Sequence, residues 1–238
     1  MKIQSLMSGT FLKRYKRFFV DVQLPDGTLV TAHTNNTGSM KSLLHPGNTV
    51  WLEHHDDPKR KLKYTLHLIQ VADATLVCVN TQFPNHLVFE AIQNKKIPEF
   101  QKYDLLKKEV KYGEQRSRID IYLEQDHIPV FIEIKNVTLV EENFPKVAQF
   151  PDASTERGRK HLQELALEAE KGNRAVMLYL VNRMDCDSFR LADHIDLPYV
   201  QAYEDAVKRG LEVLVYQSDI SIHNHEVTIQ IGKPLPFS

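Results

Sequence analysis

Three charged residues interrupt two apolar runs that otherwise read as strands. In SRIDIYLEQDHIPVFIEIKN, residues 117–136, Asp120 stands inside the first run, and Glu133 and Lys135 inside the second. Side chains alternate along a strand. Arg118, Asp120 and Tyr122 therefore share one face of the first strand, as Phe131, Glu133 and Lys135 share one face of the second. A turn centred on Asp126-His127 sets Asp120 opposite Glu133 with Lys135 on the same side, and a shift of two residues keeps all three on one face. Two carboxylates ~5 Å apart repel by roughly 3 kcal/mol at an effective dielectric of ~20, and like charges on facing strands destabilise the pair. A divalent cation reverses that sign. Mg²⁺ or Mn²⁺ would suit: Mg²⁺ is a hard ion that takes one or two carboxylates, keeps several waters and leaves room for a phosphate. Lys135 beside it could orient a water or neutralise charge growing on phosphorus. Spacing alone also allows a solvated strand face with a surface Asp and a Glu–Lys pair.

The elements that must hold these residues follow from periodicity. In the first third, FFVDVQL alternates at Phe18, Val20, Val22 and Leu24, and Pro25-Asp26-Gly27 supplies a turn before TLVTAHT. TVWLEH, YTLHLIQVA and TLVCVNT add further strands. About five short strands without a convincing helix fit a small barrel of the OB type over residues 1–83, with a sandwich fragment as the alternative. From residue 84 to 238 the character changes to α/β with a mixed sheet. NHLVFEAIQNKKI and PEFQKYDLLKK have helical spacing, the latter through Phe100, Leu105 and Leu106. Strands follow near 108–112, 117–124 and 129–137. A long helix from about Ser154 to Lys171 carries an apolar stripe of Leu162, Leu165, Ala166 and Ala169. RAVMLYLVN reads as a strand covered on both faces. A helix near 199–209, the strand LEVLVYQ and a strand in the tail complete the order. No low-complexity linker intervenes, so the two parts should pack directly together.

The segments EVKYG, SRIDIYL, VFIEIKNVTL and FPDASTERGRKHLQEL, together with RYKRFFVDV, NNTGSM, CVNT, RAVMLYLV and HIDLPY, resemble the sugar fermentation stimulation protein A family across nearly the whole chain. The resemblance implies an OB-type barrel joined to a restriction-endonuclease-like domain of the PD-(D/E)xK class. It also implies DNA binding and a link to sugar utilisation, notably of maltose. Carried over by position, the class acid falls on Asp120 and its E-x-K pair on Glu133 and Lys135. Glu109 is the candidate for an additional upstream metal ligand. Arg157, Lys160 and Gln163 are candidates for the polar helix position that meets phosphate or water.

Other signals are weaker. LKRYKRF, residues 12–18, sets cations around Tyr15, which suits a strand-gripping OB surface, and it nominates Arg14, Tyr15, Lys16 and Arg17, with Arg118, Arg157 and Lys160, as nucleic-acid contacts. A solubilising strand edge is the alternative. NNTGSM reads as a turn in which Gly38 supplies a positive φ. His161 stands in the long helix beside the candidate site. No phosphate-binding Gly loop, dinucleotide fingerprint or helix-turn-helix occurs. The chain's net charge of −1 divides into +4 over residues 1–83 and −5 over 84–238, so only the first part favours a polyanion. The N-terminus lacks the pattern of a cleaved signal, and no run approaches the ~20 apolar residues that span a bilayer. Cys78 and Cys186 form neither a disulfide framework nor a zinc motif, which fits a reducing cytoplasm. The expected partner is DNA, single- or double-stranded, without a membrane, and a homodimer is left open. Two functions compete: a largely sequence-non-specific, metal-dependent nuclease, and a non-catalytic DNA-binding regulator of sugar metabolism on the same scaffold.

Overall fold

The alternating apolar positions of the first third close into a barrel in the computed structural model, which describes residues 1–113 and 117–238. The opening strand, β1 (Lys2–Ile3), joins the far sheet, and the barrel begins with β2 (Met7–Tyr15). Next come β3 (Phe19–Gln23), β4 (Leu29–His33), β5 (Thr49–His54), β6 (Tyr64–Gln70) and β7 (Leu76–Cys78). They are ordered β4-β3-β2-β5-β6-β7, and a short parallel pairing of β4 with β6 closes five of them into an OB-type barrel. Val20, Val22, Val50, Leu52, Leu66 and Ile69 fill it, all fully buried. Strand β2 is additional to the five the sequence reading identifies, the first of which, FFVDVQL, is β3. The centre of β2 carries Gly9, where a Cβ would stand 2.5 Å from Val22 Cγ1; the missing side chain lets β3 approach, and also removes the apolar signal that alternation relies on.

The second part contains α1 (Phe83–Gln93), β8 (Leu105–Tyr112), β9 (Ser117–Gln125), β10 (Ile128–Val137) and β11 (Val147–Phe150). It continues through α2 (Glu156–Glu170), β12 (Arg174–Val181), β13 (Ser188–Leu191), α3 (Asp193–Lys208), β14 (Glu212–His223) and β15 (Glu226–Pro234). Among the described residues, a mixed sheet of order β1-β15-β14-β12-β10-β9-β8 has β10, β12 and β14 parallel at its centre. This is the restriction-endonuclease-like arrangement. Strand β12 is buried on both faces as its continuous apolar run predicts. Val176, Leu178 and Leu180 face α1 and the barrel, while Ala175, Met177, Tyr179 and Val181 face α2 and α3.

The helix expected over PEFQKYDLLKK is absent. Only Pro98–Phe100 turn, as a 3₁₀ segment, and Leu105 and Leu106 open β8, paired with Glu124 and Leu123 of β9. The spacing of Phe100 from Leu105 and Leu106 matches a helix only loosely, and the backbone ladder to β9 prevails over local propensity. The direct packing of the two parts is observed: Leu6, Leu68 and Cys78 share one apolar cluster with Leu87, Ile132 and Leu178. No helix among the described residues is long and apolar enough to cross a membrane.

Candidate active site

The hairpin β9–β10 forms in the register its turn dictates. Asp126 and His127 take φ of 49° and 66°, the left-handed pair of a two-residue hairpin whose twist matches its strands. Pairing runs from Ile128 opposite Gln125 to Ile132 opposite Ile121, so Asp120 and Glu133 fall on the next rung. There the Asp120 side chain enters the ladder: its Oδ2 accepts the backbone N–H of Ile134 at 2.8 Å. Its Oδ1 accepts from Asn85 Nδ2 at 2.7 Å. Asn85 stands in the first turn of α1, so the helix that follows the barrel fixes the acid.

Glu133 is buried. Its Oε1 receives Lys135 Nζ at 2.7 Å and is also contacted by His161 Nδ1 from α2. Arg157 Nε lies 3.4 Å from His161 Nε2. Lys135 Nζ also lies 3.3 Å from His161 Nδ1, so Lys135, His161 and Glu133 Oε1 form one polar cluster. Glu133 Oε2 is buried with no partner. Helix α2 is aimed by its own start: Thr155 Oγ1 caps Gly158 N–H at 2.9 Å, and Thr155 N–H and Arg159 both bind Asp196 of α3. The apolar stripe of Leu162, Leu165 and Ala166 then turns His161 toward the sheet.

The electrostatics separate the two acids. Burial, reinforced by the charge of Glu133, pushes the Asp120 carboxyl up to about 7, against the opposing effects of Ile134 N–H, Lys135 and Asn85. Burial also opposes ionisation of Glu133, but Lys135 and His161 outweigh it and hold that carboxyl below its ordinary value. Tyr112, whose buried hydroxyl has no partner, is raised by burial and by Glu133. Glu133 thus stays ionised with an unsatisfied oxygen, and Asp120 ionises only at some cost. Both defects are those a hard divalent cation corrects, and Asp120 and Glu133 are the residues that could hold one. Among the described residues no group of three or more His, Cys, Asp and Glu is placed to hold a metal ion.

The remaining expected residues are distributed unevenly. Glu109 stands on β8 at the rung facing Asp120, but it is exposed and its φ is 56°. Arg118 and Arg157 are exposed on the same side as the acids, Lys160 is half-buried, and Gln163 is exposed further along α2. His161, noted only as a neighbour, is the helix residue that meets the acids, and nothing in the sequence marks Asn85. At the barrel, Lys16 and Arg17 form the turn of the β2–β3 hairpin with φ of 47° and 63°. Tyr15 beside them is 38% exposed and stacked on Phe19; Phe18 is 44% exposed and stacked on His33. Arg14 has a different task. Its guanidinium donates to the carbonyls of Arg17, Asn36, Gly38 and Ser39 at 2.7–3.3 Å, which shapes the NNTGSM loop. Gly38 in that loop does not take a positive φ. It is needed for proximity, since a Cβ there would meet Asp152 Oδ2 at 2.5 Å.

The loop also ties the barrel to the acids. Asn35 bonds Asn80 and Thr81, and Asn80 Oδ1 accepts Gln82 N–H at the start of α1, which carries Asn85.

Comparison with known proteins agrees with this architecture. A family described as the SfsA N-terminal OB domain matches residues 12–79, and one described as the sugar fermentation stimulation protein RE domain matches residues 82–224. A sugar fermentation stimulation protein homolog of Marinomonas sp. (strain MWYL1) is 47% identical over 231 residues, covering 97% of this chain and 88% of that protein. One of Haemophilus influenzae (strain 86-028NP) is 39% identical over 239 residues, covering 100% and 99%. The solved structure of Pyrococcus furiosus SfsA in complex with Ca²⁺ superposes with a TM-score of 0.86 at 22% identity, covering 100% of this chain and 98% of that one.

Proposed function

This chain belongs to the sugar fermentation stimulation protein family, and we propose that it binds DNA largely without sequence preference and hydrolyses phosphodiester bonds with Mg²⁺ or Mn²⁺. The observation that carries this reading is the buried, unpartnered Glu133 Oε2 beside an Asp120 carboxyl raised to about 7. A sheet has no structural use for that pair, since apolar residues would be more stable there. The relative crystallised with Ca²⁺ holds an ion that, like Mg²⁺, seeks oxygen ligands.

Asp120 and Glu133 would hold the metal, which supplies a polarised phosphoryl oxygen and a water of lowered pKa. Asn85 and the Ile134 N–H keep Asp120 oriented with both oxygens located. His161 fixes the Glu133 carboxylate, so that Oε2 remains the oxygen available for a ligand. Lys135 Nζ, held by Glu133 at 2.7 Å, orients the attacking water and neutralises charge on the non-bridging oxygens as it develops. Arg118, Arg157 and Lys160 take flanking phosphates. Lys16 and Arg17 track the backbone on the barrel while Tyr15 offers a stacking face.

The test is incubation of the pure protein with single- and double-stranded DNA in Mg²⁺, Mn²⁺ or EDTA. Metal-dependent cleavage that stops with EDTA is expected. Lys135→Ala should then lower the rate ~10²–10³-fold with little change in affinity. Binding that leaves a broad substrate panel intact with either metal would reject hydrolysis. It would leave the second reading, a non-catalytic DNA-binding regulator of sugar genes such as those for maltose. That reading is favoured by Glu133 already being balanced by Lys135 and His161.

A further inference from the structure

Gln149 on β11 is 1% exposed, and neither its side-chain oxygen nor its nitrogen has a hydrogen-bond partner. A buried amide with both ends unsatisfied is rare and calls for an explanation. It borders a polar pocket of about 260 Å³ between the barrel loop and the ends of β10 and β11. Asn35, Asn36 and Thr37 line one side of it, and Asn136 and Thr138 flank Gln149 on the other. Among the described residues no Lys or Arg lines this pocket. The carboxylate among those lining it, Asp152, is held by the Ser39 N–H at 2.9 Å and the Ser39 hydroxyl at 3.3 Å.

That chemistry excludes most ligands. A phosphate would meet a carboxylate and no cation, and an apolar group would strand several amides. The volume lies just below the ~300–1,000 Å³ of sites for drug-sized molecules, so it suits a single heterocycle. A primary amide presents a donor and an acceptor side by side, and base edges present the complementary pair: Gln and Asn bind adenine N6 and N7 in this way. The pocket also continues into a groove of about 680 Å³ lined by Arg14, Arg17 and residues 150–155, with Thr37, Gly38, Phe150 and Asp152 common to both. Arg17, on that adjoining groove, offers a cation to a phosphate of a strand whose base enters the pocket.

We propose that Gln149 and the Asn35–Thr37 loop form a pocket for one nucleobase unstacked from the bound strand, its edge paired with the Gln149 amide. The inference rests on nucleic-acid binding under the proposed function and not on hydrolysis. It makes the junction of the two domains a reading site that locates a strand relative to the candidate active site. Enzymes that work on nucleic acid commonly extrude a base in this way, reading its edge by hydrogen bonds.

The test measures anisotropy of a short labelled single strand without a divalent metal or with Ca²⁺, comparing an all-base strand with one made abasic at successive positions. Gln149→Met keeps the volume and removes both polar ends. It should weaken binding of the all-base strand about 5- to 150-fold, the worth of one bidentate base pairing. Binding of the strand abasic at the pocket position should change less than about twofold, since it has no base edge for Gln149 to pair with. Gln149→Leu, which likewise removes both polar ends and adds no charge, should behave alike and serves if the first variant is unstable. Wild type should also raise the emission of 2-aminopurine at that position, as a base leaving the stack does. Equal losses on both strands, no loss at all, or unchanged emission at saturation would show a pocket that holds only water. Failure of wild type to bind any strand would overturn the nucleic-acid reading itself, a separate result from binding that is indifferent to Gln149.

Discussion

Replacing Asp120 with Asn should stabilise the metal-free protein at pH 8 and remove its response to metal. Burial and the charge of Glu133 lift this carboxyl from its ordinary 3.8 to about 7. A difference of that size corresponds to about 4 kcal/mol between the charged and neutral forms. The sign follows from proton linkage. The folded state holds its proton more tightly than the unfolded chain, so its contribution to stability is complete below about pH 4. It declines as pH rises and is lost above about 7. The amide of Asp120→Asn would imitate the neutral form at every pH. One of its two hydrogen bonds must accommodate an NH₂, and the Asn85 amide can turn to present its oxygen while Ile134 N–H keeps an acceptor. Allowing about 1–2 kcal/mol for imperfect repair at every pH, the variant should gain about 2–3 kcal/mol at pH 8 and lose about 1–2 kcal/mol at pH 4. For a chain of this size the gain is of order 5–10 °C in Tm. Thermal denaturation in EDTA at both pH values measures it directly. With Mn²⁺ at about 100 times its Kd, wild type should gain ~2.7 kcal/mol by mass action, and the variant little or none. A metal-free variant less stable than wild type at pH 8, or equal Mn²⁺ shifts in the two proteins, would refute the description of Asp120 as a strained, cation-seeking ligand.

Three other substitutions probe the supporting residues. Asn85→Ala removes the side-chain donor to Asp120 and should weaken Mn²⁺ binding about 10–100-fold, as loss of an outer-shell partner commonly does; calorimetric titration checks it. Arg14→Ala leaves the carbonyls of residues 17, 36, 38 and 39 without their shared donor and should lower stability by about 2–4 kcal/mol, read by urea denaturation. Arg17→Ala should leave stability nearly unchanged. It should weaken DNA binding uniformly across sequences and reduce the slope of log K against log salt by about 0.7–0.9 for each phosphate no longer neutralised. A large loss of stability in Arg17→Ala, with an unchanged salt slope, would reverse the roles given to these two arginines.

What was legible in the sequence was local. A two-residue turn with left-handed conformations at Asp126 and His127, flanked by strict alternation, determines the hairpin register, and with it the meeting of Asp120, Glu133 and Lys135. The stripe of Leu162, Leu165 and Ala166 likewise determines which face of α2 turns inward. In both cases a period of 2 or 3.6 residues converts sequence position into direction with no further information. The same means misread Leu105 and Leu106, whose strand is made by its neighbour β9. They also missed β2, where Gly9 carries no side chain to count. Tertiary structure alone decided which residues complete the site. Asn85 and His161 reach the acids from α1 and α2, Arg14 turns from solvent to four carbonyls, and Gln149 is brought beside Asn35 from the other domain. A hydrogen bond depends on donor and acceptor meeting within a few tenths of an ångström. Between elements far apart in sequence, that meeting is set by how helix, barrel and sheet pack over one another, and no periodicity within any one of them encodes it.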